Sequence, residues 1–308
     1  MTDEVNPPAR GVRMPWEEVA EHVRAEVEDF LGAPVAEAVT QDGGFSPAAA
    51  VRLRLQDGRR AFVKALNSAV NPDSPDIYRA EARIAAALPA DVPAPRLLTS
   101  FERDGWIVLI FEDVEGHHPV MPWRRDELDR VRAAITVMSE ALTPSPIEVP
   151  TLAEVMGDSF RGWRRLLEED TTGLDPWALA HLKELAELES GWEEAGAGDT
   201  LLHADLRADN MLLTGDRVYF VDWPWACKGH AFYDQVGMLP SVAMQGGPQP
   251  WELLTDPDPA ITTLVAAVTG YFVRQGRRPS PAGLPTLRAF QRAQGVVSLE
   301  WLRQRLSG

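Results

Sequence analysis

The residues that could do chemistry crowd into one stretch, Leu201–Trp223 (LLHADLRADNMLLTGDRVYFVDW), which sets His203, Asp205, Asn210 and Asp222 in that order. Asp205 follows a short apolar run, and Asn210 comes five positions later. Met211–Trp223 reads as a hairpin, with two apolar runs (MLL and VYFVDW) around the turn residues Thr214-Gly215-Asp216. A hairpin returns the chain to its start, so Asp222 can sit beside Asn210 and Asp205. ATP-dependent phosphoryl transfer to a hydroxyl needs a carboxylate to take the proton and oxygen ligands to hold magnesium on the phosphates. This segment could supply all three. The plainer reading is that Asp205 and Asn210 cap turns, a common use of both residue types.

The pattern resembles the aminoglycoside phosphotransferase family, protein-kinase-like enzymes that phosphorylate small molecules. Members carry H-x-D-x-x-x-x-N in the catalytic loop and an I/V-D-W run after it. Here those are His203-Ala204-Asp205…Asn210 and Val221-Asp222-Trp223. The resemblance implies ATP as donor, Asp205 as catalytic base, Asn210 and Asp222 as Mg²⁺ ligands, and His203 as a buttress without chemistry. Arg207 falls where protein kinases place a phosphate-facing lysine, so it either steadies the γ-phosphate or is a surface arginine. Asp234 either bonds the backbone of the catalytic loop or caps a helix. The implied fold is α+β and bilobal, kinase-like. Residues 1–111 would form an antiparallel-sheet lobe with a helix, 112–116 a hinge, and 117–308 a mainly helical catalytic and substrate-binding lobe.

The elements that must position these residues are legible upstream. Apolar spacing predicts a helix over Pro15–Leu31, with Val19, Val23, Val27, Phe30 and Leu31 on one face. A strand over Val35–Val39 leads into the glycine turn Gln41–Pro47, and strands over Ala49–Leu55 and Arg60–Leu66 meet at Asp57-Gly58. Alone, the glycine turn reads as a plain β-turn. The resemblance makes it a cover over the ATP phosphates, with Phe45 and Ser46 at the nucleotide. Alternation sets Lys64 on one face with Phe62 and Leu66, where a buried ammonium needs an anion. Glu81 can supply it, because in the helix predicted over Asp76–Leu88 it falls four residues after Ile77 on the inward side. The resemblance makes Lys64 the residue that grips the phosphates and Glu81 its anchor. The alternative is an edge lysine and a solvated glutamate.

A further hairpin is expected from Arg96–Glu102 and Trp106–Phe111, followed by the polar run Glu112-Asp113-Val114-Glu115-Gly116. The resemblance gives the main chain of Glu112 and Val114 to adenine, with Phe111 behind the base. Helices are then predicted over Arg125–Leu142, Leu152–Glu169, Pro176–Glu194, Phe232–Val242, Ile261–Gln275 and Leu284–Leu306. Trp223, Trp225 and Trp251 either line a substrate pocket or belong to the core. His117 and His118 lack metal-site company and read as surface residues.

Composition narrows the partners. Thirty basic and 46 acidic residues give a formal charge of −16, which argues against nucleic acid and mildly favours cationic substrates such as aminosugars. No run of about eighteen apolar residues exists, so no membrane span is expected. Cys227 is the only cysteine, which excludes an intrachain disulfide and points to a reducing, cytoplasmic setting, with the thiol a packing residue. The expected activity is O-phosphorylation of a small hydroxylated molecule, first of all an antibiotic or related natural product. A metabolic kinase acting on a sugar, amino alcohol or amino acid is the alternative. The rival from another class is a non-catalytic nucleotide-binding protein of the same fold.

Overall fold

In the computed structural model, residues 13–41, 43, 48–69, 74–281 and 284–307 are described. Phe45 and Ser46, the expected nucleotide cover, lie outside the described residues. The first lobe is an antiparallel sheet of β1 (Val35–Thr40), β2 (Ala49–Leu55), β3 (Arg60–Asn67), β4 (Leu97–Arg103) and β5 (Trp106–Glu112), ordered β1-β2-β3-β5-β4. The turn between β2 and β3 needs a left-handed residue, and Gly58 provides it at φ +87°.

Period-two alternation gives this sheet two different faces. Val51, Leu53, Val63 and Ile110 bury one face against Val23, Val27 and Leu31 of α1 (Glu21–Leu31). Leu66, Leu109 and Phe111 bury the other with Tyr78 of α2 (Pro75–Ala87). Lys64 shares the α2 face, as the alternation predicts. The first helix is shorter than its apolar spacing suggests: Trp16–Glu18 form a single 3-10 turn, and the chain extends at Val19 and Ala20. The guanidinium of Arg24 takes the Val19 carbonyl at 3.0 Å, while Trp16 buries in the sheet core. Phe30 is exposed, because the stripe Val23–Val27–Leu31 already fills the face turned to the sheet.

The second lobe is mainly helical. α3 (Arg125–Ala141) buries Leu128, Val131, Ile135 and Met138 as its spacing predicts. Two helices expected to be continuous are broken. The first becomes α4 (Leu152–Met156) and α5 (Gly162–Leu166), and the second α6 (Pro176–Ala180), α7 (Leu182–Ser190) and α8 (Trp192–Ala195). The break before α5 has a physical cause. The buried Glu189 carboxylate accepts the N–H groups of Trp163 at 2.9 Å and Arg164 at 3.1 Å, donors that an uninterrupted helix would spend on its own carbonyls.

Two short strand pairings shape the floor of the cleft. β6 (Thr200–Leu202) pairs with β9 (Cys227–Gly229), and β7 (Met211–Leu213) with β8 (Val218–Phe220) as the predicted hairpin. The β6–β9 pairing has no counterpart in the sequence reading. The lobe closes with α9 (Tyr233–Met244), α10 (Pro250–Leu253), α11 (Pro259–Gln275) and α12 (Leu287–Ser307). Among the described residues, no helix is long and apolar enough to cross a membrane.

Gly162 packs so close to α11 that an added Cβ would stand 2.1 Å from the Gly270 backbone. Gly162→Ala is therefore expected to destabilise the fold by ~3 kcal/mol, read as a lower urea midpoint. An unchanged midpoint would contradict this packing.

Candidate active site

The cleft between the lobes encloses about 620 Å³ and is lined by both the sheet and the β7–β8 region. On its upper wall, the Lys64 Nζ donates to Glu81 Oε1 at 2.5 Å and to Asp222 Oδ1 at 2.6 Å. The partners come from β3, α2 and the segment after β8. Burial works to lower the Lys64 pKa, but the charges of Asp222 and Glu81 prevail and hold it above its usual value. Burial raises Glu81 against the opposing pull of Lys64. Asp222, whose burial would raise it, is held below the ordinary carboxylate range by Lys64.

The lower wall is a backbone loop fixed from beneath. Asp234, at the start of α9, accepts the His203 N–H at 3.0 Å and the Ala204 N–H at 2.8 Å. His203 is fully buried, and burial lowers its pKa, so the ring is neutral. Its Nε2 donates to the Val221 carbonyl at 2.9 Å, and its Nδ1 accepts the Asp205 N–H at 3.3 Å, which fixes one tautomer. Trp223 stacks obliquely against this ring at 4.6 Å and donates to the Phe220 carbonyl at 2.8 Å. Ala204 (φ +64°) and Asp222 (φ +72°) both hold left-handed backbone, a strained conformation for residues with a side chain.

Asp205, Asn210 and Asp222 all line the same cleft. The Asn210 Nδ2 donates to the Asp205 carbonyl at 2.8 Å and to its Oδ2 at 3.2 Å. That leaves the Asn210 Oδ1 for another partner. An amide oxygen and the Asp222 carboxylate are the hard donors that magnesium takes when phosphates complete its shell, so the donor set fits that ion. Among the described residues, no cluster of three or more His, Cys, Asp or Glu side chains forms a metal cage of protein ligands alone.

Arg207 lies beside the candidate base. Its guanidinium bonds the Asp205 carboxylate and grips Asp209 at 3.1 and 3.0 Å. Burial lifts the Asp205 pKa to about 6, with Asp209 and Asp222 adding to the rise and Arg207 opposing it. In the segment expected to act as a hinge, Val114 and Glu112 line the cleft, and among the described residues the Val114 N–H has no hydrogen-bond partner.

Sequence reasoning missed how this segment is held. Arg52 grips Asp113 at 2.7 and 3.0 Å and also donates to the Val114 carbonyl at 2.9 Å, while Arg60 reaches Asp113 at 2.7 Å. The available signal was Arg52 in β2 and Arg60 at the start of β3, together with the apolar strand β5 running into acidic residues. An aromatic wall of the cleft was also missed: Phe160, Tyr233 and Tyr271 cluster with ring centroids 6.1 and 6.2 Å from Phe160. Trp225 lines the cleft and is exposed, whereas Trp251 packs against the helical core. The thiol of Cys227 is buried, and burial pushes its pKa up, consistent with a packing role.

The model of the phosphotransferase enzyme family matches residues 39–256. No curated protein matches the chain. Among solved structures, a ternary complex of aminoglycoside phosphotransferase APH(4)-Ia with ADP and hygromycin B is 15% identical, with 93% of this chain and 99% of that one covered and a TM-score of 0.60. A choline/ethanolamine kinase family protein from Mesorhizobium loti is 16% identical, with coverages of 93% and 97% and a TM-score of 0.61. The amicoumacin kinase hAmiN is 10% identical, with coverages of 91% and 93% and a TM-score of 0.56. At these identities the likeness is one of fold.

Asp205 should titrate near 6 in the free protein. Carbon-detected NMR on the carboxylate would read it, and Arg207→Gln should move the midpoint higher. A midpoint of about 4, the ordinary value, would contradict the burial described.

Proposed function

The chain belongs to the phosphotransferase enzyme family, and from that premise we propose that it transfers the γ-phosphoryl group of ATP to a hydroxyl of a small molecule. Residues 1–111 form the nucleotide-binding lobe, 112–116 the hinge, and 117–308 the catalytic and substrate-binding lobe. The observation that carries this reading is that Lys64, Glu81, Asp205, Asn210 and Asp222, far apart in sequence, line one cleft.

Each residue has a definite task. Lys64, anchored by Glu81, binds the phosphates, and the main chain of Glu112 and Val114 meets adenine, beneath a cover that includes Phe45 and Ser46. Asn210 and Asp222 hold the divalent ion. Magnesium, when bound, supplies charge neutralisation on the triphosphate. Asp205 orients the acceptor hydroxyl and takes its proton as the new O–P bond forms and the bond from the γ-phosphorus to the bridging oxygen of ADP breaks. Arg207, beside Asp205, steadies the transferring group. The barrier is lowered chiefly by positioning and charge, as a loose phosphoryl transition state requires.

An antibiotic or related natural product is the acceptor class we favour. Supporting it, the fold is shared with an aminoglycoside phosphotransferase solved with hygromycin B and with an amicoumacin kinase. The fold is equally shared with a choline/ethanolamine kinase family protein, which keeps a metabolic acceptor as the second reading.

Asp205→Ala should lower kcat by roughly 10²–10⁴, the span of a positioned proton acceptor, and Asp222→Ala should abolish magnesium-dependent ATP use. Turnover like that of the wild type in either variant would contradict the roles. A deprotonated Asp205 is required, so kcat/KM should fall as pH drops through about 6. A profile flat to pH 5 or so would remove Asp205 as the base.

A further inference from the structure

The acceptor half of the cleft is not built for a cation, although the chain as a whole carries a formal charge of −16. Most carboxylates lining the cavity are already engaged. Glu81 and Asp222 share Lys64, and Asp113 takes Arg52 and Arg60. Glu112 pairs with Arg96 at 3.1 Å, Asp209 grips Arg207, and Asp234 is spent on two N–H groups of the catalytic loop. Only Asp205, itself paired with Arg207, faces the reaction.

Beyond Asp205 the lining changes character. Phe160, Tyr233, Tyr271, Leu287 and Phe290 line the cavity there, and among the described residues no further carboxylate does. The formal charge tied to this wall is positive: the Arg288 Nη1 donates to the Gln291 Oε1 at 2.7 Å, and the Gln291 Nε2 donates to the Tyr271 hydroxyl at 3.2 Å. Among the described residues, a polycation would find no carboxylate on this wall beyond Asp205, and the formal charge behind Gln291 is the positive Arg288.

One polar group on this wall awaits a partner. Gln294, on α12, is 3% exposed and lines the cavity, and among the described residues its side-chain amide makes no hydrogen bond. The amide is not sealed from the cavity, so a ligand entering there can take its hydrogen bonds in place of water. A primary amide both donates and accepts, which suits a neutral carbonyl or hydroxyl.

We propose that the acceptor is an uncharged, largely apolar hydroxylated molecule, seated against the aromatic wall of α9, α11 and α12 with a neutral polar group on Gln294. This rests on the phosphotransferase reading and sharpens it: the negative net charge belongs to the outer surface, where salt screens it beyond about 8 Å, and does not select the substrate.

Isothermal titration of the full chain tests the proposal. A first titration with a non-hydrolysable ATP analogue and Mg²⁺ checks the nucleotide site alone; no binding there defeats the phosphotransferase reading whatever the acceptor. With the analogue bound, 2-naphthaleneethanol should bind at least ~10-fold more tightly than kanamycin, with little change between low and high salt. Kanamycin binding as tightly as the alcohol, or no binding of the alcohol, overturns the acceptor class and leaves the nucleotide site intact. Gln294→Leu removes no protein hydrogen bond, so its thermal midpoint should match or exceed that of the wild type. A fall of several degrees would show that the amide serves the fold and would overturn its assignment to the ligand.

Discussion

A single ammonium group organises this molecule. Lys64 is held between two carboxylates that approach from opposite lobes, Glu81 from α2 and Asp222 from beyond the β7–β8 hairpin. An unpaired charge in such a place would cost several kcal/mol, so each element must be set to complete the triad. β3 has to turn Lys64 toward α2 and away from α1, α2 has to present Glu81 inward, and the hairpin has to bring Asp222 back. With two carboxylates on one ammonium, the site keeps an excess of negative charge that a divalent ion and a triphosphate can rearrange.

The catalytic loop answers a different constraint. A candidate base must stay ionisable near neutral pH and cannot wander, yet it sits on irregular backbone. The loop is held from below by Asp234 on two N–H groups and by a neutral His203 that joins Asp205 to Val221. This support lets Ala204 and Asp222 keep left-handed backbone, which places their neighbours' side chains in the cleft at the cost of local strain. Burial then brings Asp205 up to about 6, close to the pH at which it would work.

The parts legible in the sequence were those with short-range signatures. The β2–β3 hairpin announces itself through Asp57-Gly58, the Lys64 face through alternation, and α3 through its apolar spacing. What escaped depended on long-range contacts. One helix of the second lobe breaks where Glu189 caps α5 and Gly162 meets Gly270, and neither partner is near in sequence. The clamp of Arg52 and Arg60 on Asp113 joins residues more than fifty positions apart. The aromatic wall of the cleft likewise draws Phe160, Tyr233, Tyr271 and Gln294 from separate elements, which no local pattern could bring together.

A crystal structure with a non-hydrolysable ATP analogue and magnesium tests the central claim most directly. The account predicts a metal at about 2.1 Å from the Asn210 Oδ1 and an Asp222 oxygen, with the Lys64 Nζ moved from Asp222 onto a phosphate while Glu81 still holds it. A nucleotide bound elsewhere, or seated in the cleft with Lys64 still closed on Asp222 and no metal between Asn210 and Asp222, would contradict it.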